Sequence, residues 1–496
     1  MEELKEVKVP KSASLYEDQL EIHNQIVDYY LNMRTVPIDP ETGEEMQDNR
    51  PWLKKLLIGY AGTGKTTTVA AIVDTIRNQH HGNVVISAPT HKAVRVLRNK
   101  SNIEGVEFAT IQKVLGVKAK KNFNTGELEF EPDYDDPFAL NRDTLLIIDE
   151  VSMMNLHLFE YLVKSDLKFP LLFVGDSVQI PPVDTGKKEK VSDSAVFIES
   201  IRKKHLIEMH ELTQVRRQAE GNPIIRLATY IRTNYQKQLP NTFLAEAVSK
   251  LNSPQHLSYS SATNGGGDFD KKLITEWFTS QQYRDNPDYC RVVAWRNEKV
   301  RDYNNSIRTI LYGEEAAFTP YVEGERIIFE EPYGIKEFGR TIIIAQNSEE
   351  ATVVEVGSDN VRIEVPKLFG KDVAKHAQTI EVHRLKCITQ DRKPITINVP
   401  KNVDGYKAII AEVQKAAKEA PKEARRELYK SMFSIQEAVA WINYGYAITA
   451  HKSQGSTYEN TFVCLWDIAA NWRTEERNRI TYVAVTRSAT KLHLSI

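Results

Sequence analysis

Three short, unbroken apolar runs mark the first third of the chain: Leu56-Leu57-Ile58, Leu145-Leu146-Ile147-Ile148 and Leu171-Leu172-Phe173-Val174. Each is closed by glycine or acidic residues, the pattern of strands buried on both faces of a parallel sheet. Val69 to Ile76 instead repeats apolar residues at helical spacing, so the first run predicts strand, loop and helix in succession. Lys118 to Phe130 alternates around Asn124-Thr125-Gly126 and predicts a β-hairpin with a tight turn. Further on, Thr341–Ala345, Ala351–Val356, Val361–Val365 and Ile395–Val399 read as short strands with turn signals between them, which suggests a small barrel. Tyr406 to Met432, rich in Ala, Lys and Glu, predicts helix with a break at Pro421. Residues 1–14 are expected to be a leader and Pro37 to Pro51 a polar loop. Asn252 to Asp268, with Gly265-Gly266-Gly267, is expected to be a flexible excursion.

At 496 residues the chain has room for two or three domains. No apolar run approaches the roughly 18 residues of a membrane span, and the charged N-terminus lacks a secretory core. Cys290, Cys387 and Cys464 are too scattered for a zinc site or a disulfide framework. These features predict an intracellular, cytoplasmic protein with no membrane partner. The formal net charge of −2 is not that of a protein coating nucleic acid. A basic stretch does run from Lys92 to Lys121, with eight cations against Glu104 and Glu107, and it suits a narrow strand track or a solvated face.

The chemistry concentrates after the first apolar run. Gly59-Tyr60-Ala61-Gly62-Thr63-Gly64-Lys65-Thr66-Thr67 is a phosphate-binding loop in its required strand–loop–helix setting. Its glycines let the backbone amides of Ala61, Gly62, Thr63 and Gly64 turn inward, with Lys65 reaching the terminal phosphates and Thr66 and Thr67 opening the helix. Asp149 and Glu150 end the second run, where Asp149 with Thr66 would hold Mg²⁺ and Glu150 would polarise the attacking water. Adjacent acids favour hydrolysis over transfer to a metabolite. Gln179, after the third run, could sense the γ-phosphate. ATP and Mg²⁺ are thus the expected cofactors.

Taken in order, the phosphate loop, Ala88-Pro89-Thr90-His91-Lys92-Ala93, Thr110-Ile111-Gln112, Asp149-Glu150-Val151-Ser152-Met153 and Gly175-Asp176-Ser177-Val178-Gln179-Ile180-Pro181-Pro182 resemble the motif set of superfamily 1 helicases, in the 1B branch of the RecD, Pif and Dda enzymes. Leu15-Tyr16-Glu17-Asp18-Gln19 is similar to that family's adenine-reading element, with Gln19 on the base. Leu212 to Gln218 resembles the segment with an arginine finger, implying Arg217, with Arg216 as the alternative. Arg291 to Asn297 and Val300 to Asn304 resemble the opening strand and helix of a second RecA-like domain. Tyr446 to Thr457 resembles motif V, with Gly455 at the nucleotide, and Tyr482 to Arg487 resembles motif VI, with Arg487 as second finger.

The resemblance implies an α/β fold of two RecA-like P-loop domains, one with a pin insertion and one with an SH3-like and helical insertion. The implied boundaries are 15–213 for the first domain with the pin at 117–140, 214–320 and 435–496 for the second, and 321–434 for its insertion. Strand contacts are implied for Pro89, Thr90, His91, Thr110, Phe123, Asn297, Thr449, His451 and Ser453: hydroxyls, imidazoles and amides for phosphates, and an aromatic ring for bases. The implied activity is ATP-dependent, 5′-to-3′ unwinding in DNA replication or recombination by a monomer. Its partners would be single-stranded DNA and single–double-strand junctions, with a single-strand-binding protein or replisome components beside them. Two other classes are to be separated from this one. One is a strand-stimulated ATPase that remodels protein–DNA complexes without unwinding; the other is a non-motor P-loop protein, which would have no use for second-domain arginines.

Overall fold

The computed structural model describes residues 15–46, 48, 50, 52–101, 105–126, 128–132, 140–163, 168–182, 194–215, 221–251, 253–261, 266–337, 340–369 and 372–496. The expected leader, residues 1–14, lies outside them.

The three apolar runs become the heart of a parallel sheet. Its strands are β1 (Lys54–Gly59), β2 (Asn83–Ala88), β3 (Glu107–Thr110), β6 (Thr144–Ile148), β7 (Leu171–Gly175) and β8 (Ile207–Leu212), with the hairpin strands β4 (Val117–Lys121) and β5 (Leu128–Pro132) intervening in sequence. Among the described residues the order is β3-β2-β6-β7-β1-β8, with every pairing parallel. The period of two splits the runs between two cores. Leu56, Ile58, Leu146, Ile148 and Phe173 pack on one side. Leu57, Leu145, Ile147, Leu172 and Val174 face the other, under helices α1 (Glu17–Arg34) and α2 (Lys65–Asp74) through Ile22, Ile26, Tyr30 and Ile72, with Ile76 of the following turn Thr75–Gln79 beside them. Each fully buried side chain of this kind contributes about 1.5–3 kcal/mol. Together they fix the strand ends from which the loops emerge.

A second parallel sheet has the order β18-β10-β19-β20-β9, from β9 (Leu257–Ser260), β10 (Cys290–Ala294), β18 (Ala447–Thr449), β19 (Tyr458–Cys464) and β20 (Ser488–Ser495). Val293, Val463 and Leu494 pack towards the helices Pro223–Thr233 and Thr474–Val485, while Val292, Ala294 and Phe462 pack towards Gly266–Thr279 and Asn297–Tyr312. The expected flexible excursion at 252–268 is corrected here. It holds β9 at the sheet edge, paired with β20, and the helix Gly266–Thr279 begins on its glycines. Pairing with β20 orders Leu257–Ser260 despite the polar composition around it.

Between β10 and β18 an antiparallel sheet is inserted in the order β16-β15-β14-β11-β17. Its strands are β11 (Arg326–Phe329), β14 (Glu350–Phe369), β15 (Asp372–Thr389), β16 (Pro394–Pro400) and β17 (Ile442–Tyr444), with a separate hairpin of β12 (Tyr333–Glu337) and β13 (Arg340–Ala345). The two strands expected at 351–356 and 361–365 are one strand of 20 residues, whose partner of 18 residues carries no apolar run. The distal half of this hairpin is covered by two helices, Val403–Glu419 and Lys422–Glu437, broken at Pro421 as the sequence predicts. The expected insertion end at 434 also shifts. Ile435 and Val439 belong to the core under these helices, and β17 pairs with β11, so only Gly445 and Tyr446 separate the inserted sheet from β18.

That root is stapled. Tyr446 is buried, its hydroxyl 3.3 Å from both Glu325 and Tyr312, and Asn304 bonds the backbone of Tyr446 and Ala447. Arg308 pairs with Glu325 and donates to the carbonyls of Ala316 and Thr319. Deeper in, Glu350 of β14 receives Arg291 of β10 at 2.9 Å and Arg326 of β11 at 3.0 Å. Burial alone would raise the Glu350 pKa, but Arg291, Lys92 and Arg326 outweigh it and hold the carboxyl at about 2.

The hairpin β4–β5 forms as predicted, turned by Asn122, whose carbonyl accepts from Gly126 N at 2.8 Å and whose side chain accepts from Asn124 N at 2.8 Å. Its tip leans on the helix Lys422–Glu437. Phe123 packs against Phe433 with ring centroids 6.1 Å apart, and Lys121 meets Glu437 at 2.6 Å. Gly126 has φ +77°, and a Cβ there would lie 2.4 Å from the Tyr429 ring.

Two expectations follow. Gly126→Ala is both strained and overpacked, and should cost about 1–3 kcal/mol in reversible denaturation. Because the folded-state pKa of Glu350 is depressed, its contribution is full above the unfolded carboxylate range and lost as pH falls towards about 2. The acid limb of a stability–pH profile between those limits should therefore flatten in Glu350→Gln.

Candidate nucleotide site and strand track

The phosphate loop joins β1 to α2. Gly62 and Gly64 take φ +84° and +85°, a region open to glycine, and Gly64 caps α2. Thr63 is fully buried, its hydroxyl donating to the Tyr60 carbonyl at 2.9 Å, so only its backbone faces a phosphate. Thr66 and Thr67 are exposed at the start of α2. The Lys65 ammonium donates to the carbonyls of Gly59 and Tyr60. Gln19 is buried on α1, donating to the Thr63 carbonyl at 3.1 Å and accepting from Tyr16 N at 3.2 Å. It thus ties α1 to the loop at the place where a base would be read.

Asp149 and Glu150 leave the C-terminal end of β6 side by side. Burial first, then the Glu150 charge, raises the Asp149 pKa to about 7, with Lys65 pulling the other way. Glu150 holds φ +53°, a strained conformation for a residue with a side chain, and it starts the 3₁₀ turn Val151–Met153. The crowded charge of Asp149 and Glu150, which Lys65 offsets only in part, is the donor chemistry a hard divalent cation relieves. Thr66 and Asp149 are the residues that would hold Mg²⁺, which would supply charge neutralisation between the phosphates. Gln179 accepts from the Ser152 hydroxyl at 3.2 Å, anchoring its amide to the same turn.

The second domain closes this cleft partly through residues to which the sequence reading gave no role. The Tyr482 hydroxyl donates to Asp176 at 2.5 Å and accepts from Ala61 N at 3.4 Å, joining the phosphate loop, the loop after β7 and the helix Thr474–Val485. Arg479 donates to the carbonyls of Ser177 and Gln179 at 3.1 and 3.3 Å, and Gln454 to that of Ile180 at 3.0 Å. Arg232 stacks over Tyr60 at 4.1 Å. Arg487 is buried, with its guanidinium on the carbonyls of Val483 and Ser456, both at 2.9 Å. Burial lowers its pKa, and the Glu150 charge opposes that shift across the cleft. Arg217 and its alternative Arg216 lie outside the described residues. Gly455, expected at the nucleotide, lies beside the helix α3 (His91–Ser101), where a Cβ added to it would be 3.6 Å from that of Ala93. Its φ of +73° is a conformation that favours glycine.

Along the expected strand track one local design appears in both domains. Thr90 lies two residues past β2 and caps α3 by accepting from Ala93 N at 3.2 Å; Thr449 ends β18 and caps Ala450–Ser453 by accepting from Lys452 N at 3.2 Å. Thr110 does the same for α4 (Ile111–Val114), accepting from Lys113 N at 3.3 Å. Such caps arise because threonine satisfies the free amides of a first turn. Pro89 is half-buried at the end of β2, and His91 is exposed just beyond it. His451 is half-buried, and desolvation keeps its pKa below the usual imidazole value. Asn297 is exposed at the start of its helix, presented by the buried Asp467, which accepts from Trp295 N and Arg296 N at 2.8 and 2.9 Å.

Two expected contacts are corrected. Ser453 is fully buried and donates to the Ala450 carbonyl at 2.7 Å, because a hydroxyl inside a four-residue helix finds its own backbone first. Phe123 is packed on Phe433 rather than presented to a base pair, since an apolar ring at a hairpin tip gains more by covering the neighbouring helix.

Fold and site define a two-domain P-loop nucleotide hydrolase. The family described as AAA domain matches residues 49–256, and that described as UvrD-like helicase C-terminal domain matches 444–495. The chain is 25% identical over 486 residues to an uncharacterized protein of Acanthamoeba polyphaga mimivirus, spanning 89% of this chain and 94% of that one. It is 25% identical over 451 residues to the ATP-dependent DNA helicase dda of Enterobacteria phage T4, spanning 86% of this chain and 91% of the relative. Among solved structures, the Pif1 helicase from Candida albicans aligns over 97% of this chain and 94% of its own at 14% identity, with a TM-score of 0.46. These matches support a helicase of the superfamily 1B type, in the branch of the Dda, RecD and Pif enzymes.

Tyr482→Phe removes a charge-assisted bond from the buried Asp176 and should cost about 1–3 kcal/mol of stability in denaturant titration. It should also slow nucleotide turnover more than it weakens nucleotide binding.

Proposed function

We propose that this ATP-dependent DNA helicase moves 5′ to 3′ along single-stranded DNA and parts the duplex at its hairpin pin. The observation that carries the reading is the repeated strand, threonine cap, helix and histidine at Thr90–His91 and Thr449–His451, one copy on each side of a nucleotide cleft. Hydroxyls, amides and weakly basic imidazoles hold a phosphate backbone without reading sequence. Lys65 orients the terminal phosphates, Asp149 and Thr66 would hold Mg²⁺, and Glu150 takes the proton of the attacking water. Arg487, once released from the carbonyls of Val483 and Ser456, stabilises the transferring charge only in the closed cleft. Closure brings the two grips together, and opening after hydrolysis separates them.

Both halves of the cleft come from one chain, which supports a monomer as the working unit. The likeness to a phage helicase supports a role in replication or recombination, in the cytoplasm of the cell or host. A single-strand-binding protein or replisome components would be at hand there. No helix among the described residues is long and apolar enough to cross a membrane.

The test is strand separation with ATP and Mg²⁺ on two duplexes, one with only a 5′ single-stranded tail and one with only a 3′ tail. The 5′-tailed duplex alone should open; opening of the 3′-tailed duplex alone would overturn the polarity. If neither opens while single strands still accelerate hydrolysis, the chain is a translocase that remodels without unwinding. In the same assay Lys65→Ala and Glu150→Gln should each lower turnover by about 10²-fold or more, with Glu150→Gln still binding nucleotide.

A further inference from the structure

Lys92 follows the first-domain grip residue His91, yet its side chain turns away into the protein. It is 7% exposed, donates to the Lys452 carbonyl at 3.2 Å, and lies 3.8 Å from the Glu350 carboxylate. Lys452 in turn follows the second-domain grip residue His451. One ammonium therefore bridges the two grips and also reaches the inserted sheet.

Lys92 is the one of the three cations around Glu350 that makes no hydrogen bond to it. Arg291 and Arg326 already bond the carboxylate at 2.9 and 3.0 Å and join the second domain to its insertion as a fixed unit. Lys92 comes from the other domain and approaches at a distance beyond a hydrogen bond, so its attachment can be made and broken while the fixed pair stays. A cavity of about 430 Å³ beside it, lined by Lys92, Arg95, Arg326, Glu350, Gln390 and Tyr458, gives the side chain room to move without repacking. Arg95, one turn along α3, reaches Gln390 of the inserted sheet, and Gly455 lies against Ala93. The face of α3 turned away from the strand track is thus where the first domain meets both the second domain and its insertion.

We propose that Glu350 is a positioning residue for translocation: by docking Lys92 it sets the closed spacing of the two strand grips. This rests on the reading of the chain as a strand motor. Each opening of the cleft pulls Lys92 off the Lys452 carbonyl and Glu350, and each closure returns it to the same place, so that one hydrolysis corresponds to one fixed advance. Without the dock, the cleft still hydrolyses ATP but closes to a variable spacing and slips.

The experiment measures single-strand translocation rate and strand-stimulated ATP turnover together for wild type, Glu350→Gln, Lys92→Met and the double variant. Lys92→Met leaves the Arg291–Glu350–Arg326 unit intact and so reports on the dock even if Glu350→Gln loses stability. ATP spent per nucleotide advanced should rise about threefold in each single variant, with no further rise in the double variant. Turnover without DNA should stay unchanged in Glu350→Gln. An unchanged ratio in Lys92→Met, or additive rises in the double variant, would overturn the proposal. A wild-type chain whose turnover ignores single strands would overturn the motor reading itself, which separates the two failures.

Discussion

Asp149 and Glu150 emerge together from a strand buried on both faces, and their mutual repulsion in a half-buried site is the constraint to which the rest of the chain responds. One carboxyl is pushed far above its usual range, and the other sits on a strained backbone. Such an arrangement is tolerable only with cations arriving from several directions. Lys65 arrives on the phosphate loop, and Arg487 waits on the other domain, held by carbonyls of its own helix and turn. The nucleotide site is thus left electrostatically incomplete within one domain, and completing it requires motion.

The contacts across the cleft are mostly bonds to backbone. Arg479, Gln454 and Lys92 all donate to main-chain carbonyls of the opposite domain, and the Tyr482 hydroxyl also accepts from a phosphate-loop amide. Carbonyls are satisfied almost as well by water, so these bonds specify an orientation while remaining cheap to exchange. The joint between the second domain and its insertion is built differently, from charge pairs buried among tyrosines, which resist separation because an unpaired charge would be left inside. One junction is suited to repeated breaking and the other to holding.

The elements that carry the candidate nucleotide site were readable from sequence because their signals are local. An apolar run, a glycine loop and an acid pair announce β1, the phosphate loop and β6 without any knowledge of distant residues. The threonine caps at Thr90 and Thr449 were equally local, since each depends only on a neighbour three residues away. Three kinds of feature were not. The hairpin β14–β15 alternates charged and apolar residues on a surface half covered by helices, so its length carries no continuous signal. β9 and β17 are strands only because a partner strand lies beside them. Tyr482, Arg479, Asp467 and Lys92 act through contacts some 170 to 420 residues away in sequence. Ser453 and Phe123 had the right chemistry for a strand contact, and the folded chain satisfies both internally.

The root of the insertion has a mechanical consequence. With Gly445 and Tyr446 alone between β17 and β18, and Tyr446 locked among Glu325, Tyr312 and Asn304, the inserted sheet turns with the second domain. A strand the length of β14 extends about 60 Å, so a tilt of roughly 10° at its base would sweep a free far end through about 10 Å. The far end is not free, because Phe433 and Glu437 engage the hairpin tip at Phe123 and Lys121. The long hairpin and its helices therefore act as a lever braced at both ends, and a small rotation at the root is delivered as load on the tip of the β4–β5 hairpin.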